Sequence, residues 1–380
     1  VNVITTEKLP IKLWLTEIED EALAQARNLA NLPFAFRHIA IMPDSHVGYG
    51  MPIGGVLATR GVIIPNAVGV DIGCGMAAAP SSLTEIDEES LKIIMGEIRK
   101  AVPVGFNHHK EPQEWEGFDR APDIEIITAE LNSARRQLGT LGGGNHFIEI
   151  QRGDDDRLWV MLHSGSRNFG LKTAKVYHER AKALCERWFS DIPHKDLSFL
   201  PLDDPAGQEY LQAMNYCLAF ARASRDTMLR KIVGIFRDVT NATFDEAINV
   251  HHNYAAMEHH FGTNVMVHRK GAIRAYPGQV GIIPGSMGTS SYITEGIGNP
   301  ESFSSASHGA GRRMGRAEAT RTLNLEEEQM KMSGVIHGLR NKADLDEAPG
   351  AYKDIDEVMA NQSDLVRILH RLRPLAVIKG

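Results

Sequence analysis

A mixed α/β (α+β) fold in a single domain, residues 1–380, is what this sequence predicts, and three observations carry the prediction. Strand-like and helical patterns interleave from end to end, no linker or composition break separates them, and there is no internal repeat. Length alone would also allow two or three domains. With 43% hydrophobic and 23% charged residues the chain is close to the globular average, and its 35 glycines and 17 prolines follow no fixed period. That excludes collagen-like and low-complexity chains. Three cysteines cannot build a disulfide framework, so the expected compartment is reducing, with the cytoplasm as default. No basic-then-apolar signal pattern is present near the start. The longest uncharged run, between Arg274 and Glu295, is broken by Pro277, Gly278, Gly281, Pro284, Gly285 and Gly288, so no membrane helix is expected. A formal charge of −7 argues against coating nucleic acid by bulk electrostatics but leaves room for a local basic groove.

Taken in order, short strands in glycine-rich loops are predicted at His38–Met42, Ile53–Thr59, Val62–Ile64 and Ala67–Val70. Thr84 and Asp87 read as a capping box before an amphipathic helix with Leu91, Ile94, Met95 and Ile98 on one face. Residues 103–125, with the pair His108-His109, read as an exposed loop without a functional role. A hairpin follows, His146–Gln151 and Leu158–Leu162 around the acidic turn Gly153–Asp156. Helical periodicity then dominates Leu171–Phe189 and Gly207–Val239. Strand patterns return at Ala247–Val250, Asn264–His268, Ala272–Tyr276 and Val280–Ile283. A last helix, capped by Asp354 and Glu357, is expected to carry Val358, Gln362, Leu365, Val366 and Leu369.

The chemistry concentrates in the loops. Cys185 and Cys217 fall on apolar helix faces and read as small buried hydrophobes. Cys74 differs, because Gly69-Val70-Asp71-Ile72-Gly73-Cys74-Gly75 offers a carboxylate and a thiolate three residues apart on tight backbone. His146, His163 and the pair His251-His252 all stand at strand ends. Adjacent strand residues face opposite ways, so only one of that pair is expected to serve an ion. One carboxylate, one thiolate and three imidazoles are too many for a closed tetrahedral zinc; they suit two ions sharing the thiolate, with Mn, Zn, Fe and Co all compatible. His308 lies in Ser305-Ala306-Ser307-His308-Gly309-Ala310-Gly311-Arg312-Arg313, where small neighbours admit a phosphorus centre and arginines can neutralise a transferring phosphoryl group. Neither a Walker A motif nor a dinucleotide glycine fingerprint is present.

Beyond these readings, an ordered series of blocks resembles the RtcB family of RNA ligases over essentially the whole chain: Pro43-Asp44-x-His46, Asp71-x-Gly73-Cys74-Gly75, Gly144-Asn145-His146-Phe147-x-Glu149, His163-Ser164-Gly165-Ser166-Arg167, His252-Asn253-Tyr254, Pro284-Gly285-Ser286-Met287-Gly288, Ser307-His308-Gly309-Ala310-Gly311-Arg312, Tyr352-Lys353-Asp354 and Lys379-Gly380. The resemblance implies a single-domain fold with a deep metal-containing cleft. It implies a GTP- and Mn(II)-dependent ligase, with two ions, that joins RNA 3′-phosphate or 2′,3′-cyclic phosphate ends to 5′-hydroxyl ends in tRNA splicing or RNA repair. By that likeness His308 becomes guanylylated and Asp44 orients it. One ion belongs to Asp71, Cys74 and His146, the other to Cys74, His163 and His252. Asn145, Glu149, Ser286, Ser291, Gly309, Gly311, Tyr352 and Lys379 form the GTP site with His308, and Glu149 and Lys379 read guanine. Arg167 and Arg312 bind RNA phosphates. The need for an activator protein stays open. Two departures stand out: Asn168, where many members have glycine, and a short 103–140 segment. A two-metal phosphohydrolase using water would need the same ligands but no His308, and an idle RNA-binding paralogue would be expected to lack a ligand or the nucleophile.

Overall fold

The computed structural model describes all 380 residues. Two sheets organise the chain. One has six strands, in the order Asn2–Ile4, Ile11–Leu13, Ala35–His46, Ile53–Thr59, Thr263–Lys270 and Asn253–His260, antiparallel except where Ile11–Leu13 meets Ala35–His46. The other has seven antiparallel strands, in the order Ile248–His251, Gly75–Pro80, Leu158–Ser164, Phe147–Gly153, Val366–Lys379, Ser291–Gly296 and Val280–Ile283. Between Ile248–His251 of the second sheet and Asn253–His260 of the first, the crossing takes a single residue, His252.

Period-2 alternation sorts the seven-stranded sheet into two faces. Ile148, Ile150, Val160 and Leu162 face the helices Glu88–Ala101 and Pro205–Thr240 and pack on Leu91, Ile94, Ile98, Met228, Ile232 and Phe236. Burying each such side chain contributes about 1.5–3 kcal/mol, so these two helices clamp the back of the sheet. The opposite face carries Met76, Phe147 and Met161 against Met287, Met332 and Leu339. Glu149 and Gln151 share that inward face and are almost wholly buried. Polar side chains at such positions break the apolar pattern where a site is built. The long helix starts at Asp204, whose carboxylate accepts from the Ala206 N–H, with Pro205 in its first turn, and stops at Asn241 in left-handed conformation (φ 59°). No helix is long and apolar enough to cross a membrane.

Several predicted elements differ from the structure. Ala67–Val70 is not a strand; Pro65, with φ already preset for a first helical turn, opens the short helix Pro65–Val68. The capping box shifts by three residues, because Asp87 is itself the N-cap and accepts from the Ser90 N–H at 2.8 Å. The 103–125 loop includes the 3₁₀ turn Glu116–Arg120, whose Phe118 is buried beside Trp115 and Phe220. The last predicted helix is confined to Ile355–Ala360; Leu365, Val366 and Leu369 lead instead into the strand Val366–Lys379. That segment fills the gap between Phe147–Gly153 and Ser291–Gly296, and two ladders of hydrogen bonds outweigh its local helical spacing. Its Pro374 falls at a register shift, where a missing N–H is tolerated. The helix Glu125–Gln137 and the strands Asn253–His260 and Ser291–Gly296 are further elements that periodicity did not single out.

Candidate metal centre and active-site cleft

Strand order explains why ligands far apart in sequence meet. Ile248–His251, Gly75–Pro80, Leu158–Ser164 and Phe147–Gly153 are neighbours, and their register pairs His251 with Gly75, Gly75 with Ser164, and His163 with Phe147. Cys74, His146, His163 and His252 therefore line one end of four adjacent strands. Cys74 Sγ lies 3.4 Å from His146 Nε2 and 3.1 Å from His163 Nε2. His146 Nε2 is 3.2 Å from Asp71 Oδ2, and His163 Nε2 is 3.3 Å from His252 Nε2. Two ligand groups result, Asp71–Cys74–His146 and Cys74–His163–His252, with the sulfur common to both.

Hydrogen bonds behind the rings orient them. Nδ1–H of His146 donates to Leu141 O at 3.0 Å and that of His163 to Asn145 O at 3.1 Å, so each Nε2 presents a lone pair to the cluster. Burial first, then the charge of neighbouring histidines, holds the His163 and His252 imidazoles well below their ordinary range, hence neutral. Burial, with Asp71 beside it, pushes the Cys74 thiol well up. A buried Asp71 Oδ1 and a buried His252 Nδ1, both without hydrogen-bond partners, beside two ring nitrogens 3.3 Å apart, are unfavourable alone and make a donor set suited to divalent cations. His251 turns the other way, as alternation requires: its Nδ1 accepts from Arg225 Nη2 at 2.9 Å.

The small strand Ser305–Ser307 pairs with Ala272–Arg274, and the Ala272 N–H donates to His252 O at 3.1 Å. That pairing brings His308 against the candidate metal ligands, with its ring 4.7 Å from that of His252. His308 Nδ1–H donates to Asp44 Oδ2 at 2.6 Å, and its backbone N–H reaches the same oxygen at 3.1 Å. Asp44 is fully buried on the irregular stretch of Ala35–His46 where the register shifts. Burial would raise its carboxyl, but the charge and hydrogen bond of His308 prevail and hold it below the usual carboxylate range. Gly311 (φ 73°) is required here, since a Cβ would stand 2.0 Å from Asp44 O. The Nδ1–H···Oδ2 bond selects the tautomer of the neutral His308 ring, with the lone pair on Nε2, which has no hydrogen-bond partner of its own.

The cleft has two lobes meeting at Asn145 and His308. One, of 530 Å³, is lined by Asn145, Glu149, Ser286, Gly309, Gly311, Arg312, Tyr352 and Lys379 among others; the second, of 690 Å³, by Asp71, Cys74, His252 and Lys270. Thus the predicted metal ligands, the predicted nucleophile and most of the predicted nucleotide residues converge. Ser291 stands one layer back, accepting from Gly285 N–H and Gln151 Nε2. Arg167 lies beside the lobes, bonded to Thr140 Oγ1 and Gly105 O. Arg312 lines the first lobe with its guanidinium committed to Met314 O, Asp346 O and Glu347.

Some site residues carry no sequence signal. Gln151 donates to Glu149 Oε2 at 2.6 Å. Burial first pushes the Glu149 carboxyl up to about 8, against the opposing effects of Lys379 and Gln151. Arg225, wholly buried in the long helix, donates to Gly73 O and Ser164 O and so ties the cysteine loop to its neighbour. Lys270 Nζ donates to Tyr49 O and Asn66 O; burial lowers it to about 7. Glu347 gathers Arg312, Arg316, Tyr352 and Lys379. Each is a lone polar residue in ordinary context; a buried charge in a helix or loop has no local mark.

Residues 25–380 match the family model described as tRNA-splicing ligase RtcB. The chain is 40% identical to the RNA-splicing ligase RtcB of Escherichia coli K12, over 100% of this chain and 99% of that protein. It is 33% identical to the tRNA-splicing ligase RtcB of Pyrobaculum aerophilum (98% of this chain, 95% of that one) and 32% identical to the RNA-splicing ligase RtcB of Mycobacterium tuberculosis (94% and 100%).

Proposed function

This chain belongs to the RtcB family of RNA-splicing ligases, and on that premise we propose that it is a GTP-dependent RNA ligase joining 3′-phosphate or 2′,3′-cyclic phosphate ends to 5′-hydroxyl ends through a guanylylated His308. The observation that carries this reading is the buried Asp44–His308 pair at 2.6 Å, which holds the ring by Nδ1 and, in the neutral ring, places the lone pair on Nε2 at the cleft. A hydrolase using water as nucleophile has no need of an imidazole so prepared.

In the proposed reaction, His308 Nε2 forms a bond to the α-phosphorus of GTP as the bond from that phosphorus to the β-phosphate oxygen breaks and pyrophosphate leaves. Asp44 stabilises the positive charge that develops on the ring. GMP then passes to the RNA 3′-phosphate, a poor electrophile until it carries a leaving group, and the 5′-hydroxyl oxygen displaces GMP. A cyclic end is opened by water first. Asp71, Cys74, His146, His163 and His252 would hold two Mn(II) ions, which supply Lewis-acid stabilisation of phosphate oxygens. Asn145 and the small loop Gly309–Gly311 leave room for the α-phosphate, Glu149 accepts from guanine N1–H and the 2-amino group, and Lys379 donates to O6. Tyr352, Ser286 and Ser291 shape that site, and Arg167 and Arg312 attend the RNA phosphates. All three cysteines are free, and a reducing cytoplasm suits a thiolate ligand.

The test is incubation of the protein with α-labelled GTP and Mn(II). Acid-labile, protein-bound label is expected; His308→Ala should abolish it, and with it the joining of 3′-phosphate ends, while RNA already carrying a 3′-guanylyl cap still ligates. Label on the His308→Ala protein would refute the assignment.

A further inference from the structure

Behind the proposed nucleotide lobe lies a smaller cavity of 340 Å³ that shares Met287, Arg316 and Lys379 with it. Between them stands Glu347, 4% exposed, on the 3₁₀ turn Lys342–Glu347. Its Oε1 accepts from Arg312 Nη1 at 3.1 Å and faces Arg316 Nη2 at 2.8 Å; its Oε2 accepts from the Tyr352 hydroxyl and lies 3.3 Å from Lys379 Nζ. These partners come from three stretches of chain, and Glu347 is the one residue with a hydrogen bond or ion pair to all four.

They depend on Glu347 unequally. Arg312 is also held by Met314 O and Asp346 O, and Arg316 has Asp346 at 3.9 Å. Lys379 has Glu347 as its only hydrogen-bond partner; beyond that its ammonium lies over the Phe147 ring at 5.7 Å. An ammonium on a long flexible stem, close to two guanidinium groups, takes a fixed position only if an anion holds it. Glu149, the other buried acid of the lobe, makes its hydrogen bond to Gln151 instead.

We infer that Glu347 is the positioning residue of the nucleotide lobe: it fixes the Lys379 ammonium and the Tyr352 hydroxyl, and through Lys379 it governs the choice of guanine over adenine. This rests on the proposed reading of Lys379 as the donor to guanine O6. Glu347 itself stays behind the lobe and touches no substrate.

The experiment measures binding of α,β-methylene GTP and α,β-methylene ATP, which cannot transfer to His308, to the manganese-loaded full chain by calorimetry. Glu347→Gln keeps the shape and removes the charge. It is expected to weaken the GTP analogue by about tenfold or more, the scale of one charge-assisted hydrogen bond, and to leave the ATP analogue nearly unchanged. Lys379→Ala should show the same loss of preference, and the double variant no further loss. A purely structural role for Glu347 would weaken both nucleotides alike, and that result overturns the inference, as does an additive double variant. If Lys379→Ala leaves the preference intact, the reading of Lys379 has failed and the inference falls with it. Melting temperature and bound-metal content report folding; should Glu347→Gln not fold, Glu347→Asp, which withdraws the carboxylate by one methylene, is read by the same outcomes.

Discussion

Asp44→Asn is the sharpest perturbation of the proposed nucleophile, because it changes one charge and almost no volume. Asp44 Oδ2 accepts from both Nδ1 and the backbone N–H of His308, and the residue has no exposed surface. Losing a hydrogen bond to a charged acceptor weakens the interaction by about 1.5–3 kcal/mol, or roughly ten- to hundredfold in rate if the ring charge develops in the transition state. A second effect acts in the same direction. If the asparagine presents its NH₂ to Nδ1, that nitrogen must accept, and the ring proton moves to Nε2, which then cannot attack. Guanylylation of Asp44→Asn should therefore be slowed about a hundredfold or more, while GTP affinity and metal content stay at their unmodified values, since Asp44 touches neither cleft lobe nor ligand cluster. Single-turnover labelling with α-labelled GTP at saturating nucleotide reads the rate, and metal analysis reads the site. Labelling at the unmodified rate would refute the role of Asp44, and loss of metal would show that it acts on the fold instead.

Cys74→Ala should reduce activity more than loss of any one imidazole, because Cys74 alone is common to both ligand groups; Cys185→Ala and Cys217→Ala should keep activity, and two retained ions in Cys74→Ala would sink the shared-ligand assignment. Glu149 is pushed up to about 8 and is therefore mostly protonated at neutral pH, whereas guanine N1–H and the 2-amino group need a carboxylate. GTP affinity should rise up to about tenfold per pH unit as pH approaches 8 and then level, and a flat calorimetric profile across roughly pH 6.5–8.5, the window around that value, would exclude Glu149 as the base reader. Glu258 lies in a buried cluster with Arg269 and His260; burial opposes its ionisation, but the Arg269 charge prevails and holds it at about 2. Its folded value is depressed, so its stabilisation is present above an unfolded value of about 4.3 and is lost as pH falls toward 2. Glu258→Gln should destabilise the protein by about 3–5 kcal/mol at neutral pH and by about 1–2 kcal/mol less near pH 3, where part of the linkage is already lost; an equal melting shift at both would contradict this account.

Sequence alone determined the chemistry that depends on local backbone. Asp71 and Cys74 share a glycine loop, His146 opens and His163 closes a strand whose pattern is visible, and His308 follows small residues ahead of Gly311, so each declares itself within a few positions. Parity along a strand already allowed only one of His251 and His252 to face the ions, and the ordered motifs already pointed to the family. Tertiary structure decided what depends on pairing between distant segments. Val366 and Leu369 continue a spacing that fits a helix from Val358, yet they belong to the strand Val366–Lys379, because that segment pairs with a strand on each side. Arg225, Gln151 and Glu347 look like ordinary polar residues until the fold removes water from around them. A charge acquires a structural or positioning role only when burial leaves it a few fixed partners, and burial is a property of the assembled chain, set by contacts that no short window of sequence contains.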